Sequence, residues 1–141
     1  MYKIKICSVG KHKEPWLQEV LDLYTARLKT QMSIEWALVK ENAGLNELLL
    51  KEKAYICLDP QGKSYSSESF AHFIEQELQK RGSRLTFAIG GAEGFSKAIK
   101  EKASALISLS PMTFTHQITR LILLEQLYRA LEIRKGSSYH K

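Results

Sequence analysis

Leu85-Thr86-Phe87-Ala88-Ile89-Gly90-Gly91-Ala92-Glu93-Gly94-Phe95 is the stretch on which the reading of the fold turns. A short continuous apolar run stops at paired glycines, and Phe95 to Lys102 then has helical character. Runs of this kind suit strands covered by helices on both faces, as in a parallel sheet. Adjacent glycines let backbone take positive φ or approach a ligand closely. The order G-G-x-x-G is not the dinucleotide fingerprint, and no phosphate-loop motif occurs anywhere in the chain. Taken alone, the cluster fits a bare strand-to-helix turn as well as it fits a ligand loop.

Working outward, strand-like and helix-like segments alternate. Before the stretch come a strand over Lys3 to Val9, helical spacing of Leu17, Val20, Leu21, Tyr24 and Leu28, a strand over Ile34 to Val39, and a short helix over Leu45 to Leu50. A compact apolar run, Ala54 to Leu58, is expected to stop at the turn signal Asp59-Pro60-Gln61-Gly62. Ser66 or Ser67 caps the next helix, which Arg81-Gly82 closes. After the stretch come a strand over Ala105 to Leu109 and a long helix over Thr115 to Arg134. Such alternation predicts one α/β domain over residues 1–141, a parallel sheet flanked by helices. Ligands of such folds bind beyond the carboxyl ends of the strands. That selects the loops Asp59 to Tyr65, Gly90 to Phe95 and Ser110 to Phe114.

Composition narrows the class. Of 141 residues, 44% are hydrophobic and 26% charged, and the formal charge of +6 leans toward a polyanionic partner. Cys7 and Cys57 each sit within an apolar run and read as buried thiols. With no C-x-x-C and no clustered histidines, a metal site is not expected. No signal-peptide pattern and no membrane-length apolar stretch is present, which fits a cytoplasmic protein. There is no nucleophile elbow of the G-x-S-x-G type. His12, His72, His116 and His140 are scattered, and a lone histidine is more often solvated or hydrogen-bonded than a ligand.

Two stretches carry chemistry. Ser108 to Gln117 offers hydroxyls, backbone donors and the apolar Met112 and Phe114 just before a long helix. An adenosine-like ligand needs both kinds of group; a helix cap from Thr113 or Thr115 would explain the hydroxyls equally. At the carboxyl end, Arg129, Arg134, Lys135, His140 and Lys141 stand with Tyr128 and Tyr139. Basic groups hold phosphates and aromatics stack unpaired bases, although cations also suit a helix end.

The ordered set Ile6-Cys7-Ser8-Val9-Gly10-Lys11, Leu58-Asp59-Pro60-Gln61-Gly62-Lys63, Phe87 to Gly94, Leu109 to Gln117, Arg120, Glu125 to Ala130, Gly136 and Tyr139-His140-Lys141 runs over nearly the whole chain. In it the chain resembles the RlmH family of bacterial 23S rRNA pseudouridine N3-methyltransferases, which are of the SPOUT class. The resemblance implies a SPOUT α/β fold with a C-terminal trefoil knot, S-adenosylmethionine as cofactor, a homodimer, and 23S rRNA of the assembled 70S ribosome as substrate. Cofactor contacts are expected at Leu58, Gly90, Leu109, Ser110, Pro111, Met112, Thr113 and Phe114. For the chemistry, Arg129 or Arg134 is expected to supply a cation, His140 a proton acceptor or orienting group, and Tyr139 a stacking surface, with Glu125 orienting Arg129 at i,i+4 spacing. The chain departs from the family in a trimmed region, Ala43 to Lys53, and in Thr115, where the family usually has proline. Two rival readings remain open: a SPOUT enzyme acting on transfer RNA, and an inactive ribosome-associated binding protein.

Overall fold

The computed structural model describes residues 1–140; Lys141, counted above with the basic tail, lies outside the described residues. Five strands alternate with five helices: β1 (Tyr2–Val9), α1 (Pro15–Leu28), β2 (Met32–Val39), α2 (Asn42–Leu50), β3 (Ile56–Ser64), α3 (Ser67–Lys80), β4 (Arg84–Ile89), α4 (Lys97–Lys102), β5 (Ala105–Ser108) and α5 (His116–Lys135). A short 3-10 turn, Ser138–His140, follows. Every strand pair is parallel and the sheet order is β2-β1-β4-β3-β5. The three strands that precede the selected loops are therefore neighbours, and their tips lie side by side at one edge.

Alternation along β1 divides the two faces. Ile4 and Ile6 point into a large core with Phe87, Ile56 and Leu58, covered by α1, α3 and α5. Cys7 points the other way, into a smaller core with Leu45, Leu49, Cys57 and Ala88 under α2 and α4. Both cysteines are free and fully buried, and burial pushes their thiols up, to about 11 for Cys7 and about 12 for Cys57. Ala88 pairs with each of them from the strand between. Two strand spacings separate the pair by roughly 10 Å, beyond the reach of a disulfide.

Capping explains where the helices start. Ser66, rather than Ser67, caps α3, in a reciprocal arrangement with Ser69. Ser96 accepts from the Ile99 amide, so α4 begins after Phe95 rather than at it. Thr115 caps α5 and Thr113 does not. The missing proline at that position is thus replaced by a side-chain hydrogen bond.

The expected stop at Asp59-Pro60-Gln61-Gly62 is corrected by the structure. β3 continues to Ser64, with a register shift in which Leu58 and Lys63 both face Ile107. Asp59 Oδ1 accepts from the Gln61 amide at 2.8 Å, a local turn that creates the bulge. Gly62 then lets the chain rejoin β5. A Cβ there would lie 2.6 to 2.7 Å from the backbone of Leu106 and Ile107. A turn signal read along one strand does not reveal a neighbour that recaptures the chain.

Candidate functional site

The tips of β3, β4 and β5 enclose a cavity of about 380 Å3. Leu58, Gly90, Leu109, Ser110, Met112, Thr113 and Phe114 line it, as do Asp59 and His116. Pro111 is in the same loop but does not line the cavity. Sites for ligands of this kind occupy about 300 to 1,000 Å3, with mostly apolar walls and a few placed polar groups. Leu58, Ile89, Leu109 and Phe114 give the apolar walls here, and the Gly90–Gly94 turn gives bare backbone. That set fits an adenosyl group.

Each loop is held by local bonds. The Gly94 amide donates to Gly91 O at 3.0 Å, and Gly94 has φ +72, which glycine tolerates. A Cβ on Gly90 would meet the Gly94 backbone at 3.2 to 3.3 Å. In the last loop, Ser108 Oγ donates to Ser110 O at 2.9 Å, and the Met112 amide donates to Ser110 Oγ at 3.0 Å. The first of these bonds turns the chain out of the sheet, so β5 ends at Ser108 rather than Leu109. Asp59, nearly buried, is neutralised by Lys100 at 3.0 Å. Met112 and Phe114 stay 72% and 36% exposed, apolar surface at the rim that a ligand or a partner would cover.

Behind this pocket is an element whose role the sequence did not reveal. Arg120, on α5, has no exposed surface. Its guanidinium donates to Ser8 Oγ (2.9 Å), Val9 O (2.8 Å) and Gly10 O (2.8 Å), and faces His12 Nδ1 at 3.0 Å. No carboxylate is among these partners. Burial pulls the guanidinium down to about 10, so it stays charged at neutral pH. Nothing in the spacing distinguished Arg120 from the other α5 cations; it entered only as one matching residue in the resemblance.

Of the two ordinary fates of a lone histidine, solvated or hydrogen-bonded, His12 takes the second: it is half-buried, edge-on to Trp36 and 3.0 Å from Arg120. His12 and His116 are both lowered from the usual histidine value of 6.5, first by burial and then by Arg120. Below that value the unfolded chain takes up protons that the folded chain resists, so stability falls with acidification. We expect the melting temperature of the protein to drop between pH 7.5 and pH 5.5. A His12→Asn/His116→Asn variant should drop less. Thermal unfolding at both pH values measures this, and equal drops would clear the two histidines.

The tail residues do not all assemble. Arg129 Nε binds Glu125 Oε1 at 2.8 Å, the i,i+4 contact the spacing predicted. Tyr139 donates to Glu125 Oε2 at 2.6 Å, and Tyr24 shares that oxygen at 3.2 Å. The Arg129 guanidinium faces His140 Nδ1 at 3.2 Å and lies 5.0 Å over the Tyr139 ring. Hydrogen bonding to Glu125, with burial, raises the Tyr139 hydroxyl far above its ordinary value, so it is a neutral donor and not a base. His140 Nε2 lies 3.2 Å from Glu68. Arg134 is elsewhere, on Tyr2 and Glu75. Arg129, Tyr139 and His140 form one group, and Arg134 is outside it.

The group and the pocket occupy opposite edges of the sheet. His116 sits beside Gly10 at the carboxyl end of β1 and Arg134 beside Tyr2 at its amino end. α5 thus runs antiparallel to β1, and its 20 residues span about 30 Å. Arg129 lies roughly 20 Å along that axis from the pocket of its own chain. Among the described residues no cluster of three or more His, Cys, Asp or Glu side chains is placed to hold a metal, and no helix is long and apolar enough to cross a membrane.

Residues 2–140 match the family model described as predicted SPOUT methyltransferase. The chain is 52% identical over 141 residues to the ribosomal RNA large subunit methyltransferase H of Protochlamydia amoebophila, covering all of both chains. It is 46% identical to the protein of that name from Coprothermobacter proteolyticus over 99% of each. The fold is similar to the crystal structure of a probable methyltransferase from Bordetella pertussis Tohama I. That match has a TM-score of 0.53 and 10% identity, and covers 92% of this chain and 95% of the other.

Proposed function

From the premise that this chain belongs to the SPOUT methyltransferase family, we propose that it methylates N3 of a pseudouridine in 23S rRNA of the assembled 70S ribosome, as a cytoplasmic homodimer using S-adenosylmethionine. The observation that carries the reading is the meeting of the β3, β4 and β5 tips around one pocket with apolar walls and bare loop backbone. The knotted threading implied by the resemblance is part of the same reading.

When bound, the cofactor supplies a methyl carbon made electrophilic by its sulfonium. The chain supplies the rest. Leu58, Leu109 and Phe114 would supply the apolar slot for the cofactor's adenosyl group, and the backbone at Gly90 and at Ser110 to Thr113 the polar contacts. Holding the two reactants in line supplies several kcal/mol of the barrier, about 7 or more for well-oriented partners. The acceptor nitrogen must lose a proton. Arg129 lowers the energy of the developing anion, and His140, through Nδ1 or Nε2, takes or orients the proton. Tyr139 stacks on the base or donates to it.

One chain cannot bring these groups together, because α5 separates them. A second copy can, by placing its tail over the first copy's pocket. Half-buried Ile118, Leu121 and Ile122 on α5 supply apolar surface for that seam.

The test is methyl transfer from labelled S-adenosylmethionine to 70S ribosomes and, in parallel, to bulk transfer RNA. Label in 23S rRNA, mapped by mass spectrometry to a pseudouridine, is the expected result. Label in transfer RNA alone, or no cofactor binding by calorimetry, would overturn the reading.

A further inference from the structure

A second cavity, of about 730 Å3, lies at the amino edge of the sheet, on the face covered by α2 and α4. α2 reaches only over the carboxyl half of that face and ends at Leu50. The floor beyond it is built by alternate residues of three strands: Lys3 and Lys5, Ser33 and Glu35, Arg84 and Thr86. We propose that this cleft is a docking surface for the phosphate backbone of the substrate RNA, an inference that rests on the ribosomal RNA substrate proposed above.

The charge balance carries it. Seven cations and three carboxylates line the cleft. Two of the carboxylates are engaged. Glu77 lies 3.4 Å from Lys80 and 3.6 Å from Arg81. Glu52 accepts from Thr86 at 2.7 Å and lies 3.7 Å from Lys5. Lys3, Lys51, Lys53 and Arg84 make no ion pair with a described residue. The ends of α2 and α3 account for Lys51, Lys80 and Arg81, since cations suit helix carboxyl ends. They do not account for Lys3, Lys53 and Arg84.

Lys3 and Arg84 are in register on adjacent strands. Like charges placed side by side on one face of a sheet repel, and no described carboxylate pairs with either. A polyanion laid across both removes the repulsion. A second copy of this face would bring like charge to like and is a poor occupant. Flexible cations on an open polar floor suit sequence-independent contact with phosphates, which positions a substrate without reading its bases.

The experiment is a salt titration of ribosome binding by the wild-type chain and by a Lys3→Ala/Lys53→Ala/Arg84→Ala variant. Each lost phosphate contact reduces the slope of log affinity against log salt by about 0.7 to 0.9, so a drop of about two to three is expected. Affinity at 0.1 M salt should fall on the order of a hundredfold. Cofactor affinity and melting temperature should not fall, and Lys3→Arg/Arg84→Lys should keep the wild-type slope. An unchanged slope in the triple variant, beside normal methylation by the wild type, overturns the proposal and leaves the assigned reaction standing. So does a variant that loses ribosomes but binds protein-free 23S rRNA with the wild-type slope, which marks an acidic protein as the partner. A wild type that neither binds nor methylates ribosomes would instead remove the substrate reading beneath it.

Discussion

An equimolar mixture of two inactive variants, Gly90→Val and a chain lacking residues 136–141, should recover about a quarter of wild-type methyl transfer once subunits exchange. Each variant alone should fall at least about a hundredfold, the scale of losing a positioned acid-base group or a bound reactant. The reason is geometric. A side chain at Gly90 meets the Gly94 backbone at 3.2 to 3.3 Å and closes the pocket wall. The truncated chain keeps that wall and loses Tyr139 and His140. Random exchange makes half the dimers mixed, and each mixed dimer has one intact pocket facing one intact tail. Calorimetry should show cofactor binding by the truncated chain and none by Gly90→Val. A mixture that stays inactive, with exchange verified by native mass spectrometry, would mean that tail and pocket do not meet across the dimer.

The second large effect concerns Arg120. Arg120→Met should lower stability by about 3 to 5 kcal/mol, as breaking a buried, fully bonded charge network does. The methionine fills the volume but strands Ser8 Oγ, the carbonyls of Val9 and Gly10, and His12 without donors. Arg120→Lys should be only partly better, because an ammonium cannot fork across partners that lie on both sides of the guanidinium. At about 2 to 4 °C per kcal/mol for a domain of this size, the melting temperature should fall by roughly 10 °C. Cofactor affinity should fall with it, since Arg120 is one turn from His116 and next in sequence to Thr119, both at the pocket. A methionine variant that melts within about 2 °C of wild type would show that the guanidinium contributes little net stability, as replacement of buried charges sometimes does.

The fold was legible because its signals are local. Continuous apolar runs, 3.6-residue spacing and capping serines placed all ten main elements, and the rule that ligands sit beyond strand tips selected loops that meet at one cavity. Boundaries slipped where a single side-chain bond or an adjacent strand decided them, as at Ser108 and at the Asp59–Gly62 bulge. The pocket was legible for the same local reason. What escaped was long-range. Arg120 is one of several cations on α5, and only the distant Ser8–His12 loop makes it the clamp. Arg134 reads as an equal of Arg129 in sequence, yet it faces Tyr2 and Glu75 from another side of the helix. The uncovered half of the sheet face could not be seen either, because it depends on where α2 stops above strands it does not adjoin in sequence.

One consequence follows from the way α5 is fixed at both ends, by Arg120 on the Ser8–His12 loop and by Arg134 on Tyr2. The helix is a strut of set length. One residue inserted between those anchors would turn everything beyond it by about 100° and shift it by about 1.5 Å, so one anchor or the other must let go. Length variation among natural sequences should therefore be excluded from α5 and collect in segments that no such pair of anchors spans.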